Sequence, residues 1–462
     1  MIMEKSTRIV ALIIPFAILS ASLAQAADAE EKTALTLAEA VALALERHPQ
    51  VISAQARAEA LKGRIREVRA EAFPDITFNS SGMRWRDPSF LNSASFDKIP
   101  PEFKDALIVK GANLFDYHVG VSQPLYTAGK LGTAIKLASL ESEGVGVDRA
   151  RVEQEITLRV IRSFNDLLLA EKQVEVARDT VAQRQRHLAM ARARYQAGVA
   201  TEVDVLRSEV SLANAKPDLI RAENSVRHAR AVLNNLLVRP IDFPTEAAGE
   251  LTYAPSTEGP LAEIIRHALD RRPEMQRVRI NLLESNGQIR LARAESRLRV
   301  DLDGQYGYSA RLASNLWKQS FTRWMFTVNV TLPLFDGGRR SGLIQQAMAN
   351  RTIAEQTRVE TEENIRLEVQ TALDELERAE KTVEAARLNV HQAERVLTMM
   401  QDNYRYGAAT TLDVTDAQTA LTTARWTLLQ GLYDHTMARV QLRYVMGLDP
   451  LEKVDATSQS GN

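Results

Sequence analysis

Apolar residues recur along two long stretches of the chain in alternating steps of four and three positions. The later stretch carries them at Ile365, Val369, Ala372, Leu376, Ala379, Val383, Ala386, Val390, Ala393, Leu397 and Met400. The matching positions lie 209 residues earlier (365 − 156 = 209), at Ile156, Val160, Ser163, Leu167, Ala170, Val174, Ala177, Val181, Arg184, Leu188 and Ala191. This sustained heptad repeat predicts long helices packed as a left-handed coiled coil. A helix over residues 130–198 would be roughly 100 Å long at 1.5 Å per residue.

Each stretch ends in the same motif, Y-x-x-G-x-x-T-x-x-D-V. The earlier copy consists of Tyr195, Gly198, Thr201, Asp204 and Val205. The later copy consists of Tyr404, Gly407, Thr410, Asp413 and Val414. Glycine readily takes the left-handed conformation that closes a helix, and threonine followed three positions later by an acid forms the capping box that opens the next helix. Each motif therefore predicts a tight turn between two helices; we call residues 195–205 the first tip and residues 404–414 the second tip.

Other segments also occur twice, which predicts a tandem duplication. The sequence L-A-E at 37–39 recurs at 261–263, and P-L-Y-T-A-G at 124–129 matches P-L-F-D-G-G at 333–338. We therefore divide the chain into a first repeat (27–238), a proline-containing linker (239–260), a second repeat (261–446) and a polar tail (447–462).

Two local signals refine the helices of the first repeat. Thr36 and Glu39 have the spacing of a capping box, and we expect the helix that they open to reach about Phe73. Pro217 lies in the helix that returns from the first tip, and it should bend or locally break that helix because proline lacks the backbone N–H group.

Short stretches with period two precede each long helix. Residues 300–309 and 324–332 alternate apolar with polar side chains in the second repeat, as residues 115–122 do in the first, after a weaker strand near 76–78. Strands whose apolar side chains face outward and whose polar side chains face inward suit the wall of a membrane barrel. A half-buried sheet in a soluble protein gives the same alternation. Four strands per chain cannot close a barrel, for which about eight is the practical minimum, so a barrel would need several chains.

The first repeat is longer than the second between its two strands. The offset between matching residues falls from 224 near the first helices to 209 after the strands, so the first repeat has 15 extra residues (224 − 209 = 15). We expect this insertion to lie in the connection between its two strands.

The first 26 residues have the pattern of a secretion signal. Lys5 and Arg8 precede an apolar run over 9–23, and A-Q-A at 24–26 matches a cleavage site. An uncleaved membrane anchor is the alternative, and the run is short for that role. The chain has no cysteine, which excludes disulfides and cysteine-based metal sites, and its formal net charge of −1 gives no reason to expect nucleic-acid binding.

The chain resembles the TolC family of outer-membrane efflux proteins. The resemblance covers nearly all of the mature chain and depends most on Q-P-L-Y-T-A-G at 123–129, L-P-L-F-D-G-G at 332–338 and the paired tips. It implies a mostly α fold with a small β part. Tandem-duplicated helical hairpins would form a periplasmic tunnel, and four strands per chain would contribute to a trimeric, 12-stranded barrel in outer-membrane lipid. The tips would be the inner end of the tunnel, where a periplasmic adaptor and an inner-membrane transporter dock.

The resemblance also implies roles for individual tip residues. Carboxylates narrow the entrance in that family, and the matching positions are Asp413 and Asp416, with Asp204 in the first tip. Tyr404 matches a tyrosine that ties neighbouring hairpins together, while the arginine that accompanies it in the family falls at Ala409, so part of that contact is missing from the motif. The positions implied to dock an adaptor are Gly198, Val199, Thr201, Gly407, Ala408 and Thr410.

Simpler interpretations stand beside these roles. Asp204 and Asp413 occupy capping-box positions, which explains an acid at a helix start without any gate. Capping does not explain Asp416, which lies a turn further on and whose counterpart in the first repeat is Arg207. Both acids of the second tip could instead face a neighbouring helix and pair with Arg207.

The sequence carries no catalytic or cofactor signature. Gly337, Gly338 and Arg339 are not followed by the lysine and hydroxyl residue of a phosphate loop, and the histidines are not at metal-ligand spacing. We therefore expect no enzyme activity, cofactor or metal. The expected function is a passive outer-membrane conduit of a tripartite efflux or type I secretion system. The alternative is a secreted periplasmic structural or adaptor coiled-coil protein without a pore.

Overall fold

The computed structural model describes residues 34–85, 98–103, 112–255 and 259–451. The predicted signal peptide lies outside the described residues, as do 86–97 and 104–111 of the predicted insertion and 452–462 of the polar tail. The chain begins with a short strand, β1 (Ala34–Leu35), and two helices, α1 (Leu37–Arg47) and α2 (Pro49–Ala70). Strands β2 (Asp75–Trp85) and β3 (Ala112–Tyr126) lead into two long helices, α3 (Lys130–Gln196) and α4 (Glu202–Leu236).

The long helices and strands recur in the same order in the second half of the chain. After the two-residue strand β4 (Glu246–Ala247) come α5 (Leu261–Arg271), α6 (Pro273–Ala294), β5 (Arg299–Ala310), β6 (Thr322–Thr331), α7 (Arg339–Arg405) and α8 (Thr411–Val445). Two single turns of 3-10 helix, Ala313–Asn315 and Gln319–Phe321, connect β5 to β6. Helices α3 and α7 each contain 67 residues, and α4 and α8 each contain 35.

The single helix predicted from Thr36 to about Phe73 is wrong, because the chain forms two helices there. His48 is extended (φ −68°, ψ 126°) and ends α1, and Pro49 begins α2. Arg272 and Pro273 divide the matching segment of the second repeat in the same way. Proline disfavours a helical conformation in the residue before it and is well placed at the first position of a helix. The capping box at Thr36 is present.

The apolar seams predicted for the long helices are buried. Nine of the eleven seam positions of α7 are buried, the partly exposed ones being Val390 and Met400. In α3 the partly exposed positions are Val181 and Arg184. The expected length of roughly 100 Å follows from 67 residues at 1.5 Å each. Within the described ranges, no helix combines the length and the apolarity needed to cross a membrane.

Pro217 does not interrupt α4, which runs without a break from Glu202 to Leu236. Ala215 and Ala222 on either side of the proline are buried. The predicted local break is therefore absent, although Pro217 has no backbone N–H group to donate.

Four strands form one antiparallel sheet in the order β2-β3-β5-β6. The register places Asp303 opposite Ser122 and Thr327, and Leu302 opposite Gln123 and Val328. One face is therefore polar, and there Asn329 Nδ2 donates to Asp303 Oδ2 (2.6 Å). The other face is largely apolar, and its side chains in β6 are exposed: Trp324, Phe326, Val328 and Val330. This alternation agrees with the predicted strands.

The linker (239–260) contacts helices of both long hairpins. Strand β4 pairs in parallel with β1 beside α3. Further along, the Tyr253 hydroxyl donates to Glu384 Oε1 of α7 (3.1 Å), and its ring lies 4.9 Å from that of His435 on α8, between centroids. The linker thus joins the first hairpin (α3 and α4) to the second hairpin (α7 and α8).

Candidate functional site

The two tips have the same backbone geometry. In the first tip Gly198 has φ +75°, its N–H donates to Tyr195 O (2.9 Å), and Val199 N–H donates to Arg194 O (3.0 Å). In the second tip Gly407 has φ +80°, with Gly407 N–H donating to Tyr404 O (3.2 Å) and Ala408 N–H to Asn403 O (2.8 Å). These paired bonds form the Schellman motif, which requires a left-handed residue after the helix.

Each tip then opens its second helix with a reciprocal capping box. Asp204 Oδ2 accepts from Thr201 N (3.0 Å), and Asp413 Oδ2 accepts from Thr410 N (2.7 Å). The hydrogen bonds from Thr201 hold the pKa of Asp204 below its usual value, and those from Thr410 do the same for the pKa of Asp413. Both carboxylates are therefore engaged in local helix capping.

The motif tyrosines differ sharply in environment. Tyr195 of the first tip is 47% exposed, whereas Tyr404 of the second tip is 4% exposed. Arg194 of α3 accounts for much of this difference. Its Nη1 donates to Tyr404 O (2.6 Å) and to Arg405 O (3.1 Å), and its Cζ lies 4.7 Å from the centre of the Tyr404 ring. Carbonyls at a helix C-terminus attract a cation, and the ring face adds a cation–π contact.

Two more side chains of α3 cover the second tip. The ring of His187 lies 5.3 Å from that of Tyr404, and Met190 packs against the apolar cluster beneath it. Burial lowers the pKa of His187 below its usual value. The Tyr404 hydroxyl accepts from Thr411 Oγ1 (3.3 Å), which ties the tyrosine to the start of α8. The two tips are thus joined within one chain.

The two acids predicted to line the entrance, Asp413 and Asp416, are both exposed, but only Asp413 has a hydrogen-bond partner in the described part of the chain. Asp413 caps α8, whereas Asp416 has no hydrogen-bond or ion-pair partner in the described part of the chain. The alternative, in which these acids pair with Arg207, is not seen, since no ion pair within 4.0 Å joins them in the described ranges. A free carboxylate one turn past the cap is available to an ion or to another chain.

A groove of about 590 Å³ separates the hairpins just above the tips. Its apolar wall comes from α4, where Val203, Leu206 and Val210 are all exposed. Leu412, Thr415 and Thr419 of α8 form the opposite wall. The positions predicted from the motifs to dock an adaptor are all exposed: Gly198, Val199, Thr201, Gly407, Ala408 and Thr410.

Sequence reasoning found the tip residues and missed Arg194 and His187. The tip motif contains neither residue, and Asn403 and Val396 occupy the matching positions of the second repeat. Ala409 stands where the resemblance implied an arginine beside Tyr404. In this structure Arg194 of the other hairpin contacts Tyr404, although the two residues are 210 positions apart in the sequence. In the described residues, no group of three or more His, Asp or Glu side chains is arranged to hold a metal ion.

The fold is that of an outer-membrane channel. The Campylobacter jejuni CmeC outer membrane channel superposes with a TM-score of 0.78 at 16% identity, over 92% of this chain and 88% of that one. The sequence profile of the outer membrane efflux proteins matches residues 21–238 and 264–448. The chain therefore belongs to the outer membrane efflux protein family.

Two Pseudomonas aeruginosa relatives match along most of their length. The outer membrane protein OprJ is 24% identical over 400 residues, or 84% of this chain and 79% of OprJ. The alkaline protease secretion protein AprF is 24% identical over 444 residues, or 94% of this chain and 89% of AprF. Family membership confirms the resemblance and the predicted fold class. It gives no support to the alternative of a coiled-coil protein without a pore.

Proposed function

We propose that this protein is a passive outer-membrane channel that receives substrates from an inner-membrane transporter through a periplasmic adaptor. The observation that carries this proposal is the pairing of a sheet whose apolar face is exposed with two long hairpins that end in exposed tips. The sheet suits lipid, and the hairpins suit an aqueous extension reaching roughly 100 Å from it. Family membership supports the same function.

The assembly proposed is a homotrimer. The sheet of one chain is open, with β2 and β6 at its edges. Unpaired strand edges are not stable in lipid, because their N–H and C=O groups have no water to bond. Three copies would supply twelve strands, enough to close a barrel whose polar face surrounds the lumen. The six hairpins of three chains would then surround a continuous conduit.

The groove above the tips is proposed as the docking site for the adaptor. Val203, Leu206 and Val210 recur at helical spacing and are exposed, as expected of a surface that receives an apolar helical ridge. The turns at the tips are open, since no described residue beyond the chain neighbours lies within 4 Å of the Cβ position at Gly198 or Gly407. The transporter would supply the energy for export.

The entrance is proposed to be controlled by the acids of the second tip. Asp416 is exposed and without a partner in the described part of the chain, so three copies around an axis would form a ring of negative charge. Asp413 adds charge next to this ring while capping α8. Such a ring attracts cations and repels anions.

The proposal is tested by mass and by conductance on the same detergent-purified protein. The expected result is a trimer, or about three times the monomer mass of 51.5 kDa less the signal peptide, and discrete ion-conducting steps in a planar bilayer. A folded monomer, or a trimer that never conducts, would overturn the channel. Export of a dye by cells that lack their own channel, with and without the adaptor, then tests docking.

A further inference from the structure

One face of α3 covers the second tip of its own chain. His187, Met190 and Arg194 follow one another at helical spacing on this face, and all three contact the second hairpin around Tyr404. Because of these contacts Tyr404 is almost completely buried. We call these three residues the covering face of α3.

The matching face of α7 is exposed in the part of the chain that the structure describes. The residues 209 positions after the covering face are Val396, Met399 and Asn403. Val396 is 45% exposed and Met399 is 58% exposed. The residue that matches Tyr404 is Tyr195, which is also exposed. An apolar face and a tyrosine are therefore both uncovered at the positions that pack together inside the chain.

We propose that Val396, Met399 and Asn403 of one copy pack over Tyr195 of a second copy. The argument rests on the proposed homotrimer: in a closed ring of alternating hairpins, each second hairpin meets the first hairpin of the next copy. Because the two repeats have the same helix lengths and the same tip geometry, the contact seen inside the chain can recur between chains. Each copy thus supplies the cover for the next copy's first tip.

A second contact between the hairpins supports the same correspondence. Tyr433 of α8 donates to Asp166 Oδ1 of α3 (2.5 Å) within the chain. The matching residues are Asn224 of α4 and Glu375 of α7, both exposed; within the chain the Asn224 amide oxygen accepts from Arg227, and Glu375 Oε2 accepts from Arg378. An amide N–H group and a carboxylate form a suitable donor and acceptor, so this pair can bond between copies as Tyr433 and Asp166 do within one.

The contact between copies differs from the internal contact in one respect. Asn403 replaces Arg194 and has no positive charge for the carbonyls at the end of α3. A charge-assisted hydrogen bond is roughly twice as strong as a neutral one. The junction between copies is therefore the weaker of the two junctions in the ring.

Cross-linking tests this inference directly, because the chain has no native cysteine. The double variant Tyr195→Cys with Val396→Cys is treated with a bifunctional maleimide on the full-length protein in detergent. Covalent dimers and trimers on a denaturing gel are the expected result. The matched control, His187→Cys with Tyr404→Cys, reproduces the internal contact and should give a linked monomer and no higher band.

The outcomes separate this inference from the proposed trimer. If native mass shows a trimer but the Tyr195→Cys, Val396→Cys variant gives only monomer bands after cross-linking, the packing of α7 over Tyr195 is wrong. The proposed trimer would stand in that case. A monomer by native mass would overturn both. Met399→Glu gives a second test if the cysteine variants fold poorly. It should promote dissociation of the trimer on dilution, whereas Thr398→Glu, one residue off the face, should not.

Discussion

The two tips show how one motif acquires two environments. Their glycine turns and capping boxes are nearly the same, because these depend only on residues close in sequence. Their tyrosines differ because Arg194 and His187 contact Tyr404 from another helix, and no described residue contacts Tyr195 in that way. The local structure of the tip is thus the same in both repeats, whereas the contacts of Arg194 and His187 with the motif tyrosine occur only at the second tip among the described residues.

The charges of the tips differ in the same manner. In the first repeat Glu209 is paired with Arg192 (2.7 Å), and Arg207 lies near Asp204 and lowers its pKa slightly further. In the second repeat the matching positions are Gln418, which is buried, and Asp416, which is an exposed acid. One turn beyond the cap the first repeat therefore has a base and the second repeat an exposed acid, so the proposed cation selectivity is assigned to Asp416 of the second repeat.

The largest effect is expected from Gly407→Leu. The left-handed conformation at φ +80° is unfavourable for leucine, and the side chain would project from the tip into open space. We expect export to be abolished with normal insertion into the outer membrane, as measured by dye efflux and by membrane fractionation. Gly407→Asn, which tolerates this conformation better, should retain part of the activity. Full export by the leucine variant would show that the tip contacts no partner.

Arg194→Ala would break the contact that distinguishes the tips. It removes two hydrogen bonds to the end of α7 and uncovers Tyr404, so we expect a loss of about 1.5–3 kcal/mol of local stability. Hydrogen exchange near residue 404 should accelerate towards the rate near residue 195. Asn403→Ala is the matched control and should leave the exchange of its own chain's second tip nearly unchanged. Equal exchange in both variants would contradict the role of Arg194.

Asp416→Asn should alter selectivity without altering stability, because Asp416 is exposed and unpartnered in the described residues. The purified channel should lose cation preference in a planar bilayer, with an unchanged melting temperature. Asp413→Asn should also weaken selectivity, and it should lower stability because Asp413 caps α8. If Asp416→Asn leaves the cation selectivity unchanged and lowers the melting temperature, the assignment of Asp416 to the entrance is wrong.

The pH dependence of the two caps follows from the same hydrogen bonds. The pKa of Asp413 in the folded protein lies below its unfolded value because Thr410 donates to it. Capping therefore stabilises the protein above the unfolded pKa and is lost as pH falls through the folded pKa. Asp204 should behave alike.

The smallest effect is expected from the caps themselves. Thr201→Ala and Thr410→Ala should each lower the free energy of unfolding by about 1 kcal/mol. The two losses should be similar, because both threonines make the same hydrogen bonds. Thermal unfolding of the two single variants measures this. A clearly larger loss at Thr410 would mean that the second cap also supports the packing of Tyr404.

Local sequence patterns predicted most of the fold. The seams of α3 and α7, the left-handed glycines and the capping boxes each depend on residues a few positions apart. The break at Pro49 follows from the restriction that a proline places on the residue before it, which the prediction of one helix from Thr36 to about Phe73 left out of account. The contact of Arg194 with Tyr404 was not predictable, because it depends on how two hairpins pack side by side.

Because the hairpins are long, a small rotation near their base produces a large displacement at the tips. Leu167 of α3 lies in a fully buried core, and the helix ends at Gln196, roughly 45 Å further along at 1.5 Å per residue. A rotation of about 5° at that core would move the tip by roughly 4 Å over such an arm. No hydrogen bond survives a displacement of that size, so a tilt of about 5° at that core would break both bonds of Arg194 to the second tip.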